Sequence, residues 1–297
     1  MMKKAIATCA FLAASLVAFA GNPVRSGSAG ASELLVNPWA RTASWSEGNT
    51  ANVSGLESLY GNIAGLAFTT GLQTGFSNTQ WLVGSGIQLN SAAFATPSGN
   101  EGVLGIHVTN MNYGQIEVTT TELPDGGAGY FNPAATIIGI GYAKKFTQSI
   151  YGGVNIKMYN STISNLSATG VCFDAGVQYV TGEDRDFRFG ITLRNIGPSF
   201  GYNGDGMAIV LPVPTGSHTT TFDSRTEQFE LPTQLAIGAA KRFDLDAKNR
   251  LNLAGNFISN SFKKDQFTVG MEFDHNDIFQ VRASYAAFDN RFDGLAT

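Results

Sequence analysis

Hydrophobic and polar residues alternate with a period of two through most of the chain, starting near Ala67. Successive side chains of a β-strand point to opposite faces, so this alternation predicts strands with one apolar and one polar face. One clear example has Ile156 and Met158 on one face, and Asn155 and Lys157 on the other. Polar turns separate stretches of about ten to fourteen residues. The pattern therefore predicts an all-β protein built from long strands.

Two architectures produce such alternation: a soluble sandwich with its apolar face inward, and a membrane barrel with its apolar face toward lipid. Strands average about five or six residues in soluble proteins, whereas membrane-spanning strands need about nine to eleven. The charged residues within strands fall on one face, and a Lys or Arg facing lipid near mid-bilayer costs roughly 2–4 kcal/mol. Strand length and charge placement favour the transmembrane antiparallel β-barrel.

The pattern predicts eleven strands. They cover residues 66–78, 82–94, 102–122, 134–146, 149–161, 168–181, 186–197, 229–243, 249–262, 265–275 and 278–289. This assignment treats residues 102–122 as one strand kinked at Tyr113–Gly114, not as a hairpin. If the first strand runs outward, the short turns fall on the periplasmic side and the long stretch 197–228 falls outside, as in bacterial outer-membrane barrels.

The strand count bears on the C-terminal end of the chain. Bacterial barrels normally close with an even number of strands, whereas the pattern here gives eleven. The sequence ends at Gly294-Leu295-Ala296-Thr297 without a further alternating strand. We therefore expect the barrel, assigned to residues 66–297, to lack its C-terminal strands: one more would satisfy the parity, and three would give fourteen.

The N-terminus has the pattern of a secretory signal peptide. Two lysines precede an apolar run that ends in Ala18-Phe19-Ala20, so residues 1–20 are predicted to be removed before Gly21. The run is shorter than a membrane-spanning helix requires. An exported chain with these strands is expected in the bacterial outer membrane, after export through the Sec pathway.

Residues 21–65 lack the alternation and are predicted to form an N-terminal periplasmic or luminal plug-like segment. Ser54 and Glu57 resemble a capping box at the start of a short helix over residues 55–60.

Composition excludes several classes of protein. Charged residues make up only 14% of the chain, against about 25% in ordinary globular proteins. The formal net charge is -4 and no basic run is longer than two lysines, which argues against nucleic-acid binding. After signal removal only Cys172 would remain, which excludes an intramolecular disulfide and a Cys-rich zinc cluster. The histidines are scattered without metal-ligand spacing, so no metal or cofactor is predicted.

One catalytic motif matches, Gly197-Pro198-Ser199-Phe200-Gly201, a G-x-S-x-G. A nucleophile elbow requires a strand, a sharp turn and a helix, whereas a long proline-containing loop follows here. We therefore expect no enzymatic activity, and we interpret Cys172 as a small packing residue and not as a reactive thiol.

Two groups of residues are candidates for function. Charged side chains on the polar strand face would either line a selective lumen or pair with one another and with the plug, and pairing is the favoured interpretation because unpaired buried charge is costly. They are Lys157, Asp174, Arg188, Arg194, Glu272, Asp274 and Arg282. The loop 197–228 is rich in apolar residues, which suggests a partner-binding surface or a lid, with self-packing as the alternative. The candidates are Phe200, Tyr202, Met207, Ile209, Leu211 and Phe222.

Several segments, in order along the chain, resemble the PorV/PorQ family of type IX secretion system outer-membrane proteins, whose barrel is similar to FadL. No single segment is diagnostic; their order and spacing together carry the resemblance. The segments are 35–43 (LVNPWARTA), 61–67 (GNIAGLA), 77–82 (SNTQWL), 141–145 (GYAKK), 152–157 (GGVNIK), 170–177 (GVCFDAGV) and 195–198 (NIGP). Ile63 departs from the family pattern, which usually has proline there.

The resemblance implies a fourteen-stranded barrel and a role in protein secretion. A PorV-like member escorts secreted proteins, recognised by their C-terminal signal domain, from the translocon to a surface attachment complex with a sortase. A PorQ-like member anchors a partner of that complex. The alternative of a different class is a FadL-like transporter that passes hydrophobic small molecules through a plugged lumen.

Overall fold

The computed structural model describes residue 25 and residues 28–99, 101–212, 219–224 and 226–288. Residues 1–20, assigned to the signal peptide, and the last nine residues, which bear on missing strands, lie outside this part. The described residues contain sixteen strands. Eleven long ones are β1 (Gln73–Trp81), β2 (Ile87–Ser98), β3 (Gly102–Asn112), β6 (Ala134–Lys145), β7 (Ile150–Ile163), β8 (Leu166–Thr181), β9 (Phe187–Ile196), β13 (Gln234–Asp244), β14 (Asn249–Asn260), β15 (Gln266–His275) and β16 (Phe279–Phe288).

The eleven long strands form one antiparallel sheet, in the order β1-β2-β3-β6-β7-β8-β9-β13-β14-β15-β16. Short strands β4 (Ile116–Glu117) and β5 (Tyr130–Phe131) pair with each other, as do β11 (Ala208–Pro212) and β12 (Thr219–Asp223), and β10 (Tyr202–Asn203) pairs with β8. The prediction of an all-β protein with eleven long strands is confirmed. Within the described residues β1 and β16 do not pair with each other.

Two predicted strand assignments are wrong. The single strand over residues 102–122 is interrupted, because β3 ends at Asn112 and Gly114 has a positive φ of 81° that turns the chain into the β4–β5 hairpin. The first strand begins at Gln73 and not at residue 66, because residues 63–68 form a 3-10 helix. The apolar residues of this stretch are the packing residues of that helix and do not form a strand face.

One end of the sheet has only short turns, and the other end has both short turns and the long connections. Short turns follow β2, β6, β8, β13 and β15, as predicted, and we call this the turn end. The two long connections, residues 113–133 and 197–233, lie at the opposite end, which we call the loop end.

Burial follows the predicted period of two but inverts the arrangement of an ordinary soluble protein. On β7, Asn155 and Lys157 are buried, whereas Val154 and Ile156 are 55% and 52% exposed. On β15, Thr268 is buried and Val269 is 65% exposed. The sheet therefore has a covered face that carries the polar residues and an uncovered face that carries the large apolar ones.

The covered face packs against the N-terminal segment, residues 28–72. This segment contains 3-10 helices Ser32–Leu35, Gly55–Leu59 and Ile63–Phe68 and one α-helical turn, Ala40–Ala43. The predicted short helix near residue 55 is present, but Ser54 makes no side-chain cap, so the capping-box prediction is wrong. Glu57 instead pairs with Arg41 at 2.9 Å. Among the described residues, none of the helices has the length and apolarity to span a membrane.

Contacts at the two sheet edges show that the sheet is strongly curved. Ser77 on β1 donates a hydrogen bond to the carbonyl oxygen of Pro38, and Ser284 on β16 donates to that of Ser44. In a flat sheet ten strand spacings would separate β1 from β16 by about 48 Å. The six residue steps from Pro38 to Ser44 span at most about 21 Å. The sheet therefore wraps around the N-terminal segment.

Candidate functional site

The N-terminal segment meets the sheet through an apolar cluster near β3 and β6. Leu59, Ile63 and Leu66 are almost fully buried there. Glycines on the strands provide the space, since a Cβ on Gly105 or Gly141 would lie less than 3 Å from Leu59. The glycines on the polar face of the strands therefore leave the space that this segment occupies.

Asn62 fixes the segment to the central strands. Its amide nitrogen donates to the carbonyl oxygens of Thr50 and Val177, each at 3.0 Å, and its side-chain oxygen accepts from the backbone of Ala64 at 3.1 Å. Gly176 allows this approach, because a Cβ there would lie 2.1 Å from the Asn62 oxygen. The side chain caps the helix Ile63–Phe68 and binds the sheet at once.

A buried ion pair lies at the centre of the covered face. Lys157 Nζ is 2.8 Å from Asp174 Oδ1, and the two side chains are 7% and 3% exposed. Asp174 also accepts from the backbone N–H of Asn195 at 2.8 Å and from Asn155 at 3.1 Å. Asn155 in turn lies 3.4 Å from Nε2 of buried His107. Every charge of this network has a partner, as burial requires.

A second ion pair joins β9 to the N-terminal segment. Arg194 donates to Glu47 at 3.1 Å and to the carbonyl oxygen of Tyr60 at 3.2 Å, and its guanidinium stacks on the Tyr60 ring. Burial raises the pKa of Tyr60, and the negative charge of Glu47 raises it further. Tyr60 therefore stays a neutral donor, which it uses toward the carbonyl oxygen of Leu35.

The remaining predicted charges lie near the turn end. Glu272 pairs with Arg282, and Asp274 pairs with Arg250 at 3.1 Å. Arg188 lies over the ring of Phe68, 5.1 Å from its centroid. All seven predicted luminal residues are therefore on the covered face, and six of them are in ion pairs.

Sequence reasoning missed the partners that complete these networks: Glu47, Asn62, His107, Asn155, Asn195 and Arg250. Asn155 shares the strand parity of Lys157, so the alternation alone could have identified it. Asn62 and Glu47 lie in the segment without periodicity, where no sequence signal connects them to a strand.

The base of the loop 197–228 is packed inward and does not offer all of its predicted partner-binding residues. Phe200 is 7% exposed and stacks edge-on with Tyr159 and Phe229. Tyr202 exchanges a hydrogen bond with Ser161 at 2.9 Å. The prediction that Phe200 forms an exposed partner surface is therefore wrong, because its ring completes the core beneath the loop end.

The outer part of this loop is the β11–β12 hairpin, which carries exposed apolar residues. Leu211 and Phe222 are 47% and 51% exposed, and Met207 is half-buried at the base of the hairpin. In the register of the hairpin, Ile209 pairs with Phe222 and Leu211 pairs with Thr220. Leu211, Thr220 and Phe222 therefore share one face. This hairpin face is the candidate contact surface.

The G-x-S-x-G motif has no elbow geometry. Ser199 donates to Gln228 at 3.0 Å in an exposed loop, and the chain continues into β10 and not into a helix. Cys172 is fully buried in the cluster with Tyr159 and Phe200. In the described part of the chain no three His, Cys, Asp or Glu side chains are grouped as metal ligands would be.

Comparison with family models and with curated proteins gives no match. No family model matches this chain, and no curated protein matches it significantly.

Proposed function

We propose that this chain is an outer-membrane β-barrel that acts without catalysis and binds protein partners at its loop end. The observation that carries the proposal is the uncovered face of the sheet, where large apolar side chains are exposed on every long strand while most polar side chains of the covered face are buried or half-buried. Exposed apolar surface on this scale is typical of contact with lipid or protein and not with water.

The curvature of the sheet supports the barrel. A sheet that wraps around its own N-terminal segment needs few further strands to close, and closure removes the exposed edges of a membrane-spanning sheet. In such a barrel the N-terminal segment is the plug, and the paired charges of the covered face line a filled lumen. A plug with this many contacts favours a binding role over an open channel.

The specific role rests on the resemblance to PorV and PorQ. We propose that the chain belongs to a type IX secretion system, where it binds secreted proteins through their C-terminal signal domain or subunits of the translocon and the sortase-containing attachment complex. The β11–β12 hairpin is the proposed contact, because Leu211 and Phe222 expose apolar surface at the loop end.

Capture from detergent-extracted membranes of the source bacterium tests this role. We expect the double variant Leu211→Asp/Phe222→Asp to lose most of the polypeptides that co-purify with the tagged protein, because charge on the hairpin face opposes burial in an interface. Thr221→Asp, which adds a charge on the opposite face of β12, is the matched control and should retain them. Equal capture by all three proteins would contradict the proposed contact.

The FadL-like alternative has one observation in its favour. Cavities lie at both ends of the covered face, about 260 Å³ at the turn end and about 210 Å³ at the loop end. If the hairpin variant secretes normally but cells lacking the protein fail to take up a hydrophobic small molecule, transport is the better account.

A further inference from the structure

The cavity at the turn end has an unusual charge balance. It lies between the N-terminal segment and the ends of β9, β13, β14, β15 and β16, and has a volume of about 260 Å³. Seven cationic side chains line it against four carboxylates. The cations are Arg41, Arg185, Arg188, Lys241, Arg242, Arg250 and Arg282, and the carboxylates are Asp186, Glu272, Asp274 and Asp277.

Every one of these carboxylates is close to a cation. Arg250 is bonded to Asp274 and Asp277, and Arg282 is bonded to Glu272. The fourth carboxylate, Asp186, lies 3.7 Å from Lys241. Two other cations use carboxylates outside the cavity: Arg41 pairs with Glu57 at 2.9 Å, and Arg242 pairs with the exposed Asp244 at 3.1 Å.

Two arginines therefore have no carboxylate partner within the described part of the chain. Arg185 donates to the carbonyl oxygen of Gln148 and to the hydroxyl of Tyr151, each at 2.6 Å. Arg188 lies half-buried against the ring of Phe68 and makes no hydrogen bond to a described residue. Arg188 is also close enough to Arg185 and Arg242 for their positive charges to repel its own. The excess positive charge of the cavity is thus concentrated where β9 begins.

Arg185 and Arg188 have no carboxylate partner among the described residues, and Arg242, whose one carboxylate partner is the exposed Asp244, lines the same cavity. An oxyanion between these three guanidinium groups would relieve their repulsion. Guanidinium groups present planar forks of N–H donors that match phosphate and carboxylate oxygens. A phosphate carries about -1.5 to -2 charge at neutral pH and three strong acceptor oxygens. It therefore balances the charge and uses the N–H donors of three arginines better than a singly charged carboxylate does. The cavity is somewhat smaller than the roughly 300–1,000 Å³ of pockets for drug-sized ligands, which suits a small anion.

We propose that this cavity is a phosphate-binding site formed by Arg185, Arg188 and Arg242. Two sources share this chemistry: phosphate or a phosphate monoester in solution, and the phosphate of a lipid headgroup. The site lies on the covered face at the turn end, away from the β11–β12 hairpin, so it does not depend on the partner-binding role proposed above.

Calorimetric titration of the whole protein with inorganic phosphate, in a non-ionic detergent at constant ionic strength, tests the site. We expect one phosphate to bind per chain, chloride to give no binding, and Arg188→Gln to weaken phosphate binding by at least about tenfold, since it removes a charge-assisted donor. Arg25→Gln removes the same charge at the loop end, where Arg25 pairs with Glu230, and should leave the affinity unchanged.

Two results would overturn the site: phosphate that does not bind, or Arg25→Gln weakening binding as much as Arg188→Gln. Arg188→Lys keeps the charge but loses the fork, and we expect it to bind phosphate more weakly than the original protein. It serves as the second variant if Arg188→Gln fails to fold, and equal affinity in it would contradict the proposed fork.

Vesicles distinguish the two sources. If lipid phosphate occupies the cavity, protein in phosphatidylcholine vesicles containing phosphatidic acid will bind less inorganic phosphate than protein in pure phosphatidylcholine vesicles. Equal binding in both assigns the site to soluble phosphate. Either result supports phosphate chemistry, and failure of partner capture by the hairpin variant would leave it untouched.

Discussion

At the residue scale, the buried pair Lys157 and Asp174 shows how polar groups are accommodated beneath the N-terminal segment. Asp174 uses both oxygens, since it accepts from Lys157, from the backbone of Asn195 and from Asn155. A buried carboxylate with this many donors tolerates its charge, but the loss of one partner leaves a desolvated ion. The attraction between the two charges therefore contributes less to stability than the loss of either partner would cost, because that loss leaves a buried, unpaired charge.

We expect Lys157→Met to lower the free energy of unfolding by about 3–5 kcal/mol, because it leaves Asp174 charged and unpaired. Adding Asp174→Asn removes that charge and keeps a hydrogen-bond acceptor, so the double variant should recover part of the loss. Urea unfolding of the detergent-solubilised protein, followed by tryptophan fluorescence, measures both. A single variant that costs less than about 1 kcal/mol would show that water reaches Asp174.

The sequence identified these two side chains as occupants of one face but not as partners of each other. Alternation fixes the face of Lys157 on β7 and of Asp174 on β8. Their pairing depends on strand register, which places Lys157 opposite Cys172 and Asn155 opposite Asp174. We attribute the register to the turns and to the N-terminal segment. Neither has a periodic pattern of hydrophobic residues, so the register cannot be predicted from the alternation.

At the element scale, glycines on the covered face decide whether the N-terminal segment fits. A Cβ on Gly190 would lie 2.4 Å from the carbonyl oxygen of Thr50 and 2.7 Å from Cα of Ala51, and both atoms belong to backbone that cannot rotate away. Gly255 is on the uncovered face of β14, and a Cβ there would meet only a backbone oxygen at 3.6 Å, an ordinary contact. It serves as the control position, because it does not face the N-terminal segment.

Gly190→Ala should displace the N-terminal segment and cost about 1–3 kcal/mol of stability, as overpacking does. Gly255→Ala should be close to neutral. Hydrogen exchange followed by mass spectrometry measures the displacement, with faster exchange expected in residues 44–69 of Gly190→Ala alone. Unchanged exchange in both variants would contradict the prediction, because it would mean that the N-terminal segment accommodates the added methyl group without becoming less stable.

Strand assignment from the sequence was correct where one face of the strand is uniformly apolar. It was wrong where apolar residues form a helix instead of a strand. The strands from β6 to β16 in the sheet agree with their predicted bounds to within about five residues, because alternation there is continuous. Residues 63–68 are apolar enough to resemble a strand, yet they form the helix that fills the covered face. Apolar content alone does not distinguish these two uses.

At the scale of the whole molecule, a substitution on the uncovered apolar face distinguishes the proposed membrane barrel from a soluble protein. A Lys or Arg that faces lipid near mid-bilayer costs roughly 2–4 kcal/mol, whereas a surface substitution in water usually changes stability by less than about 0.5 kcal/mol. Ile156 is the most informative position, since it lies in the middle of β7 and is 52% exposed.

We expect Ile156→Arg to destabilise the protein folded in phospholipid vesicles by roughly 2–4 kcal/mol. Thr221→Arg introduces the same side chain at an exposed position of the β11–β12 hairpin and should have little effect. Urea unfolding, read by heat-modifiable gel migration, measures both. Equal stability of the two variants would place the apolar face against water or another protein.

The contacts of Pro38 and Ser44 with opposite edges of the sheet also constrain the order in which the chain folds. The residues synthesised first end up enclosed by strands that extend to residue 288, and Ser44 meets a residue 240 positions later. Inserting this segment into a sheet that has already curved would require threading it between paired strands. We therefore expect the N-terminal segment to become enclosed as the later strands add one hairpin after another, and not to enter afterwards.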